Sequence, residues 1–175
     1  ENCFVAHVGD SRCYLIRDKN IHQLTEDHSF VNEMVKSGIL TKEQAENHPK
    51  GNILTKALGI APVIQGDILH VEVTKGDLFL LCSDGLTEYL DKDIINKSLS
   101  EGEIDNSINS MIDLSNKKGG KDNITIGVVE SIGGENQTVN NTNQKMKILS
   151  NIRLFKTLNY NQILKVSEVI RTKSF

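Results

Sequence analysis

Residues 76–90 have the sequence GDLFLLCSDGLTEYL, in which a continuous apolar run is bounded by two turn signals. The Gly-Asp pair predicts a turn, and the continuous apolar run LFLLC is typical of a strand that is covered on both faces. The run ends abruptly at Ser83-Asp84-Gly85. A short carboxylate therefore stands at a strand end, beside a glycine that lets the backbone approach a small ion closely.

Two further aspartates occupy equivalent places. Asp10 follows the strand-like sequence CFVAHVG, and Asp122 stands, with Asn123, immediately before ITIGVV. If the strands lie side by side, Asp10, Asp84 and Asp122 could converge, and protons or cations would then have to neutralise their mutual repulsion. Oxygen ligands favour magnesium or manganese over zinc, and two such ions can activate water for displacement at phosphorus. The alternative is that each aspartate is only a turn or cap residue.

The remaining patterns place strands and helices around these turns. Alternating and β-branched segments predict strands, and the first of them are expected to be consecutive antiparallel neighbours joined by tight turns. Helical spacing and capping signals, including Thr41 with Gln44, predict a pair of short helices and then two longer ones. The predicted strands are 3–8, 12–17, 21–25, 67–73, 78–82 and 124–129, and the predicted helices lie within 28–48, 91–99 and 103–117.

The composition argues against several classes of function. The 175 residues carry a formal net charge of -3, which does not favour nucleic-acid binding, and no apolar run is long enough to span a membrane. The three cysteines form no CxxC pair, so neither a disulfide framework nor a cysteine zinc site is expected, and a cytoplasmic setting fits. The start, ENCFVAHVGD, lacks the features of a secretory signal and has no initiator Met, so we expect the chain to begin inside a longer protein.

Four blocks in this chain resemble the type 2C metal-dependent protein phosphatases, and the bacterial branch most closely. They are VAHVGDSRCYLIRD, LTEDHSFVNEMVKSGILTKEQAENHPKGNILTKALG, GDLFLLCSDGLTEYL and GGKDNITIGVVE, in family order. The resemblance implies an α+β fold, a β-sandwich flanked by helices in α-β-β-α layers. Residues 1–130 would be the C-terminal half of that domain, with the N-terminal half missing.

The resemblance also implies roles for individual residues. Asp84 and Asp122 match ligands of one catalytic metal, and Asp10 matches a ligand of a third, weaker metal that also contacts Asp84. A mobile flap is expected at about 31–58, and within it His48 and Asn52 match substrate-facing or third-metal positions. A surface helix end would explain His48 equally well.

The implied activity is hydrolysis of phosphoserine or phosphothreonine in proteins, by a water that two magnesium or manganese ions activate. The family carries its bridging aspartate in an N-terminal DG block and its phosphate-binding arginine upstream as well, and these 175 residues contain neither block. We therefore expect the chain alone to be inactive. The alternative function is a catalytically inactive regulatory binding module that keeps the fold without turnover, or an interaction scaffold coupled to a nucleotide sensor in the C-terminal segment.

The last part of the chain changes in composition. Residues 131–146 are rich in Gly, Asn, Gln and Thr, which predicts a polar linker. Residues 147–175 have helical amphipathic spacing and resemble the opening helices of a cyclic-nucleotide-binding domain, which would make a cyclic nucleotide a second partner beside the phosphoprotein substrate. A generic helical extension or a dimerisation segment fits the same periodicity.

Overall fold

The computed structural model describes residues 2–133 and 137–170. Its strands are β1 (Asn2–His7), β2 (Arg12–Arg17), β3 (Asn20–Gln23), β4 (Asp67–Glu72), β5 (Leu78–Cys82) and β6 (Ile126–Glu130). Its helices are α1 (Phe30–Lys36), α2 (Lys42–Glu46), α3 (Asp84–Thr87), α4 (Lys92–Glu101), α5 (Ile104–Lys118), α6 (Gln137–Asn151) and α7 (Tyr160–Val169), with a 3-10 turn at Arg153–Phe155. The mixture of antiparallel sheets and helices confirms the α+β prediction.

The strands form two antiparallel sheets. One has four strands in the order β3-β2-β5-β6, and the other pairs β1 with β4. The expectation that the first strands are consecutive neighbours is therefore wrong for β1 and β2. Gly9, with a φ of 109°, lets the chain leave one sheet and enter the other between these two strands.

The core shows why β2 is apolar on both faces. Tyr14 and Ile16 pack with residues of β5, α4 and α5 in one buried cluster. Cys13 and Leu15 point the other way and pack against Val71 of β4. Successive side chains of a strand alternate in this way, so the four-stranded sheet lies between the helices and the second sheet. This is the layered sandwich that the resemblance implies.

Local capping explains where the helices begin. Ser29 caps α1, and Thr41 with Gln44 forms the predicted capping box of α2. Asp91 caps α4 by accepting a hydrogen bond from the Ile94 amide. Each cap satisfies an amide that the first helical turn leaves without a partner.

The predicted linker is partly wrong, because α6 begins at Gln137 and its helix includes residues 137–146. Asn and Thr are weak helix formers, but the packing of Met146 and Leu149 against Ile163 and Leu164 of α7 outweighs that weakness. Residues 134–136 of the predicted linker, and 171–175 of the last segment, lie outside the described residues.

The hairpin formed by α6 and α7 lies against the rest of the chain. The Tyr160 ring stacks on His22 with a centroid separation of 4.2 Å, and Asn143 accepts a 2.8 Å hydrogen bond from Arg17. Thus the amphipathic segment finds an apolar partner within this chain. Among the helices described, none is long and apolar enough to cross a membrane.

Candidate metal-binding edge

The pairing register brings three strand ends to one edge of the four-stranded sheet. Arg12, which begins β2, is opposite Cys82, which ends β5, and Cys82 is in turn opposite Ile126, which begins β6. Asp10 precedes Arg12 by two residues and Asp84 follows Cys82 by two. Both turns therefore lie at this edge, as does the loop that carries Asp122 just before β6.

Hydrogen bonds tie the Asp84 turn to the Asp122 loop. The Ser83 hydroxyl donates to the Asn123 carbonyl at 3.1 Å and accepts from the Thr125 amide at 3.0 Å. A side chain at Gly85 could not fit, because its Cβ would lie 2.6 Å from the Asn123 carbonyl oxygen. The SDG turn and the DN loop are thus held together directly. The contact needs the hydroxyl of Ser83 and the absence of a side chain at Gly85.

Electrostatics link Asp10 to Asp84. Burial, and then the charge of Asp84, raise the pKa of the Asp10 carboxyl above its ordinary value. Asp10 is half-buried, whereas Asp84 and Asp122 are exposed. A divalent cation between Asp10 and Asp84 would relieve this repulsion, and the oxygen-only donors suit magnesium or manganese.

The donor set is nevertheless incomplete. Within residues 2–133 and 137–170, no group of three or more His, Cys, Asp or Glu side chains is placed to hold a metal ion. The structure brings the Asp10 and Asp84 turns to one edge and ties the Asp122 loop to them, but it does not close a three-carboxylate cage. The ligand roles of Asp10, Asp84 and Asp122 stay predictions.

Arg12 stabilises the neighbourhood of the Asp10 turn. Its guanidinium donates to both carboxylate oxygens of Asp27, at distances down to 2.6 Å, and to the Tyr14 hydroxyl at 3.3 Å. Burial opposes the charge, but the hydrogen bonds with Asp27 outweigh it and raise the pKa of Arg12. Because Asp27 also accepts a 3.2 Å hydrogen bond from Gln23, this ion pair ties the start of β2 to the end of β3.

The predicted flap, at about residues 31–58, lies between β3 and β4. The Phe30 amide, just before the predicted flap, donates to the carbonyl of Ile53 within it at 2.8 Å. His48 accepts a 3.1 Å hydrogen bond from the Lys50 amide, and its ring lies 6.2 Å from that of Phe30. These contacts lie within the flap and at its start, and Asn52 is exposed on it. The substrate or metal roles of His48 and Asn52 stay predictions.

Two histidines, His7 and His28, lie behind the Asp10 turn, and no sequence pattern predicted their contact. The His28 Nδ1 accepts a 3.1 Å hydrogen bond from the Gly9 amide, and the His7 ring stacks on His28 at 4.8 Å. His28 is 6% exposed. Gly9 and His28 are 19 residues apart, so no local pattern signals the contact.

The described residues have the α+β fold of type 2C protein phosphatase domains, as their match to solved serine/threonine phosphatases shows. A serine/threonine phosphatase of Streptococcus agalactiae matches with a TM-score of 0.70 and 42% identity, over 74% of this chain and 55% of that one. The catalytic domain of the serine threonine protein phosphatase PstP, solved in complex with two manganese ions, matches with a TM-score of 0.65 and 33% identity, over 75% and 54%.

Sequence comparison leads to the same group. Residues 1–34 match the family model of protein phosphatase 2C. The protein phosphatase PhpP of Streptococcus pneumoniae serotype 2 is 43% identical over 128 residues, which cover 71% of this chain and 51% of that relative. The chain thus spans about half the length of the curated relatives it matches. Nothing in these matches supports the predicted cyclic-nucleotide-binding segment.

Proposed function

We propose that this chain carries part of the active site of a metal-dependent protein serine/threonine phosphatase, and that the whole protein hydrolyses phosphoserine or phosphothreonine in proteins. The observation that carries the proposal is the strand register, which brings the Asp10 and Asp84 turns to one edge of the sheet, where Ser83 bonds to the loop of Asp122. A fold that keeps like charges close in this way is expected to bind a cation there. The names of the matched relatives agree with this activity.

We infer that the cofactors are magnesium or manganese, with two catalytic ions and a third, weaker one. The PstP structure was solved with two manganese ions, which supports this choice. Asp84 and Asp122 would hold one catalytic ion, and Asp10 with Asp84 would hold the weaker one. When bound, such ions supply an activated water and stabilise charge at phosphorus. The chain's own contribution is to fix the carboxylates, through the Ser83 hydrogen bonds and the Arg12 ion pair.

The alternative function, an inactive regulatory binding module, is not favoured by relatives that are named as phosphatases. The bridging aspartate and the phosphate-binding arginine that the family resemblance implies have no counterpart assigned in this chain. The proposed activity therefore concerns the whole protein. Three free cysteines, two of them buried, favour the reducing environment of the cytoplasm.

The test is an Asp84→Asn substitution in the whole protein. Turnover of a phosphothreonine peptide at saturating manganese should fall at least about a hundredfold, since several kcal/mol of charge stabilisation depend on a correctly held ion. Asp113→Asn, an exposed aspartate on α5, is the matched control and should keep its rate. Equal turnover in the Asp84 variant and the control would refute the assignment.

A further inference from the structure

His28 connects three parts of the chain at a buried position behind the Asp10 turn. Its backbone amide donates to the Gly9 carbonyl at 2.8 Å, while its Nδ1 accepts from the Gly9 amide at 3.1 Å. Gly9 is thus held at both of its backbone polar groups by one residue. The His28 carbonyl accepts a 2.8 Å hydrogen bond from the Thr55 amide, where the flap returns.

The hydrogen bond from Gly9 fixes the tautomer of His28. A nitrogen that accepts from an amide carries no proton, so the proton of the neutral ring is on Nε2. Nε2 lies 3.2 Å from Asp67 Oδ2, which is an acceptor for it. The Lys56 ammonium lies 3.4 Å from Nε2 and donates to Asp67 Oδ1 at 3.0 Å.

The orientation of the ring is fixed as well as its tautomer. The His7 ring stacks on one face of it, with an interplanar angle of 24°. A chain of contacts therefore runs from the Gly9 amide through the imidazole to Asp67 and Lys56. A histidine held by an acidic partner on one nitrogen presents a defined lone pair on the other.

From this geometry we propose that His28 is a positioning residue, which fixes the Gly9-Asp10 turn through Nδ1 and thereby sets the affinity of the cation site at Asp10. The proposal rests on the proposed function, because it takes Asp10 as a metal ligand. Without the acceptor, the buried Gly9 amide is left unsatisfied, and the turn that carries Asp10 loses one of the two hydrogen bonds that His28 makes to Gly9.

Two substitutions test separately the hydrogen bond at Nδ1 and the contact at Nε2. In His28→Asn, the side-chain oxygen can occupy the place of Nδ1 and accept from Gly9, but it does not reach Asp67. In His28→Gln, the amide reaches the place of Nε2 and Asp67, but the Gly9 amide has no acceptor. His70→Gln, at an exposed histidine on β4, is the matched control.

In the whole protein, His28→Gln should raise the manganese concentration for half-maximal phosphatase activity roughly tenfold, because leaving a buried amide unsatisfied weakens the turn by about that factor. The kcat at saturating manganese should stay within about twofold of the wild-type value. His28→Asn and His70→Gln should stay within about twofold of the wild type in both quantities. The same manganese dependence in the Asn and Gln variants would overturn the proposal.

A second measurement needs no variant and no activity. Imidazole nitrogen NMR of the whole protein should show the His28 proton on Nε2 and none on Nδ1 at neutral pH. A proton on Nδ1 would overturn the proposal even if the variants failed to fold. If instead the wild-type protein shows no manganese-dependent turnover, the proposed function fails, and the tautomer still decides whether His28 holds the turn.

Discussion

The two arginines of β2 show how differently the ends of one strand are used. Arg17 is 9% exposed and donates to both Asp77 oxygens, at 2.7 and 2.5 Å, to the Glu72 carbonyl and to Asn143 of α6. Arg12, at the other end, keeps 29% of its side chain exposed and pairs with Asp27 alone among carboxylates within the described residues.

The difference lies in the balance of charge. At the Arg17 end, the buried charges are paired and the α6–α7 hairpin covers them. At the Arg12 end, the Asp10 and Asp84 carboxylates exceed the positive charge that pairs with them, and the pKa of Asp10 is raised, first by burial and then by Asp84. The first arrangement stabilises the fold, whereas the second leaves carboxylates without a paired positive charge at the edge where the cation is proposed to bind.

The largest effect should come from Asp77→Ala. Asp77 is 1% exposed, and its loss leaves the Arg17 guanidinium buried without its counter-charge. We expect urea denaturation to show a loss of about 3–5 kcal/mol in the free energy of unfolding. Asp113→Ala, on the exposed face of α5, is the control and should change it by less than about 0.5 kcal/mol. A loss below about 1 kcal/mol for Asp77→Ala would show that the pair does not stabilise this end.

Tyr160→Ala should have the next largest effect. The ring stacks on His22 and packs with the buried cluster between the two sheets, so truncation removes apolar contacts and detaches α7. The expected loss is about 2–3 kcal/mol, below that of a fully buried aromatic residue, and thermal unfolding measures it. Leu154→Ala, at a leucine that is 77% exposed, should be neutral. Equal stability of these two variants would indicate that the hairpin is not docked on the sheets.

The smallest effect on stability should come from Asp10→Asn, which should stabilise the metal-free fold, whereas the two variants above destabilise it. Because the folded-state pKa of Asp10 is raised, the ionised carboxylate destabilises the metal-free fold at pH 7, and this penalty disappears as the pH falls below the ordinary carboxyl pKa. Without metal at pH 7, the melting temperature of the variant should therefore be roughly 1–2 °C above that of the wild type. Near pH 3 the two melting temperatures should be the same. A lower melting temperature at pH 7 would mean that Asp10 stabilises the metal-free turn.

The sequence predicted most of the elements because each depends on local chemistry. The Thr41 capping box, the apolar run of β5 and the helical spacing of α4 and α5 all appear in the structure. The SDG and DN turns could also be singled out, since short carboxylates and glycine at strand ends have a recognisable composition.

What the sequence could not predict depends on contacts between distant residues. The separation of β1 from β2 follows from the pairing of β1 with β4, whose paired residues are 60 to 70 positions apart in the sequence. The α6 helix arises in a segment of weak helix formers because α7 and Arg17 give it partners. His28 acquires its role only when the fold brings the Gly9 amide to its Nδ1.

Manganese titration of the 15N-labelled chain tests the central claim most directly. Paramagnetic broadening should appear first at the amides of Asp84 and Asp122 and then, as the weaker site fills, at Asp10. Asp84→Asn should shift the broadening at Asp10 to higher manganese concentration. If broadening begins instead at the exposed acidic residues of α4 and α5, or if Asp10 responds identically in wild type and variant, these carboxylates do not share a cation at the edge of the sheet.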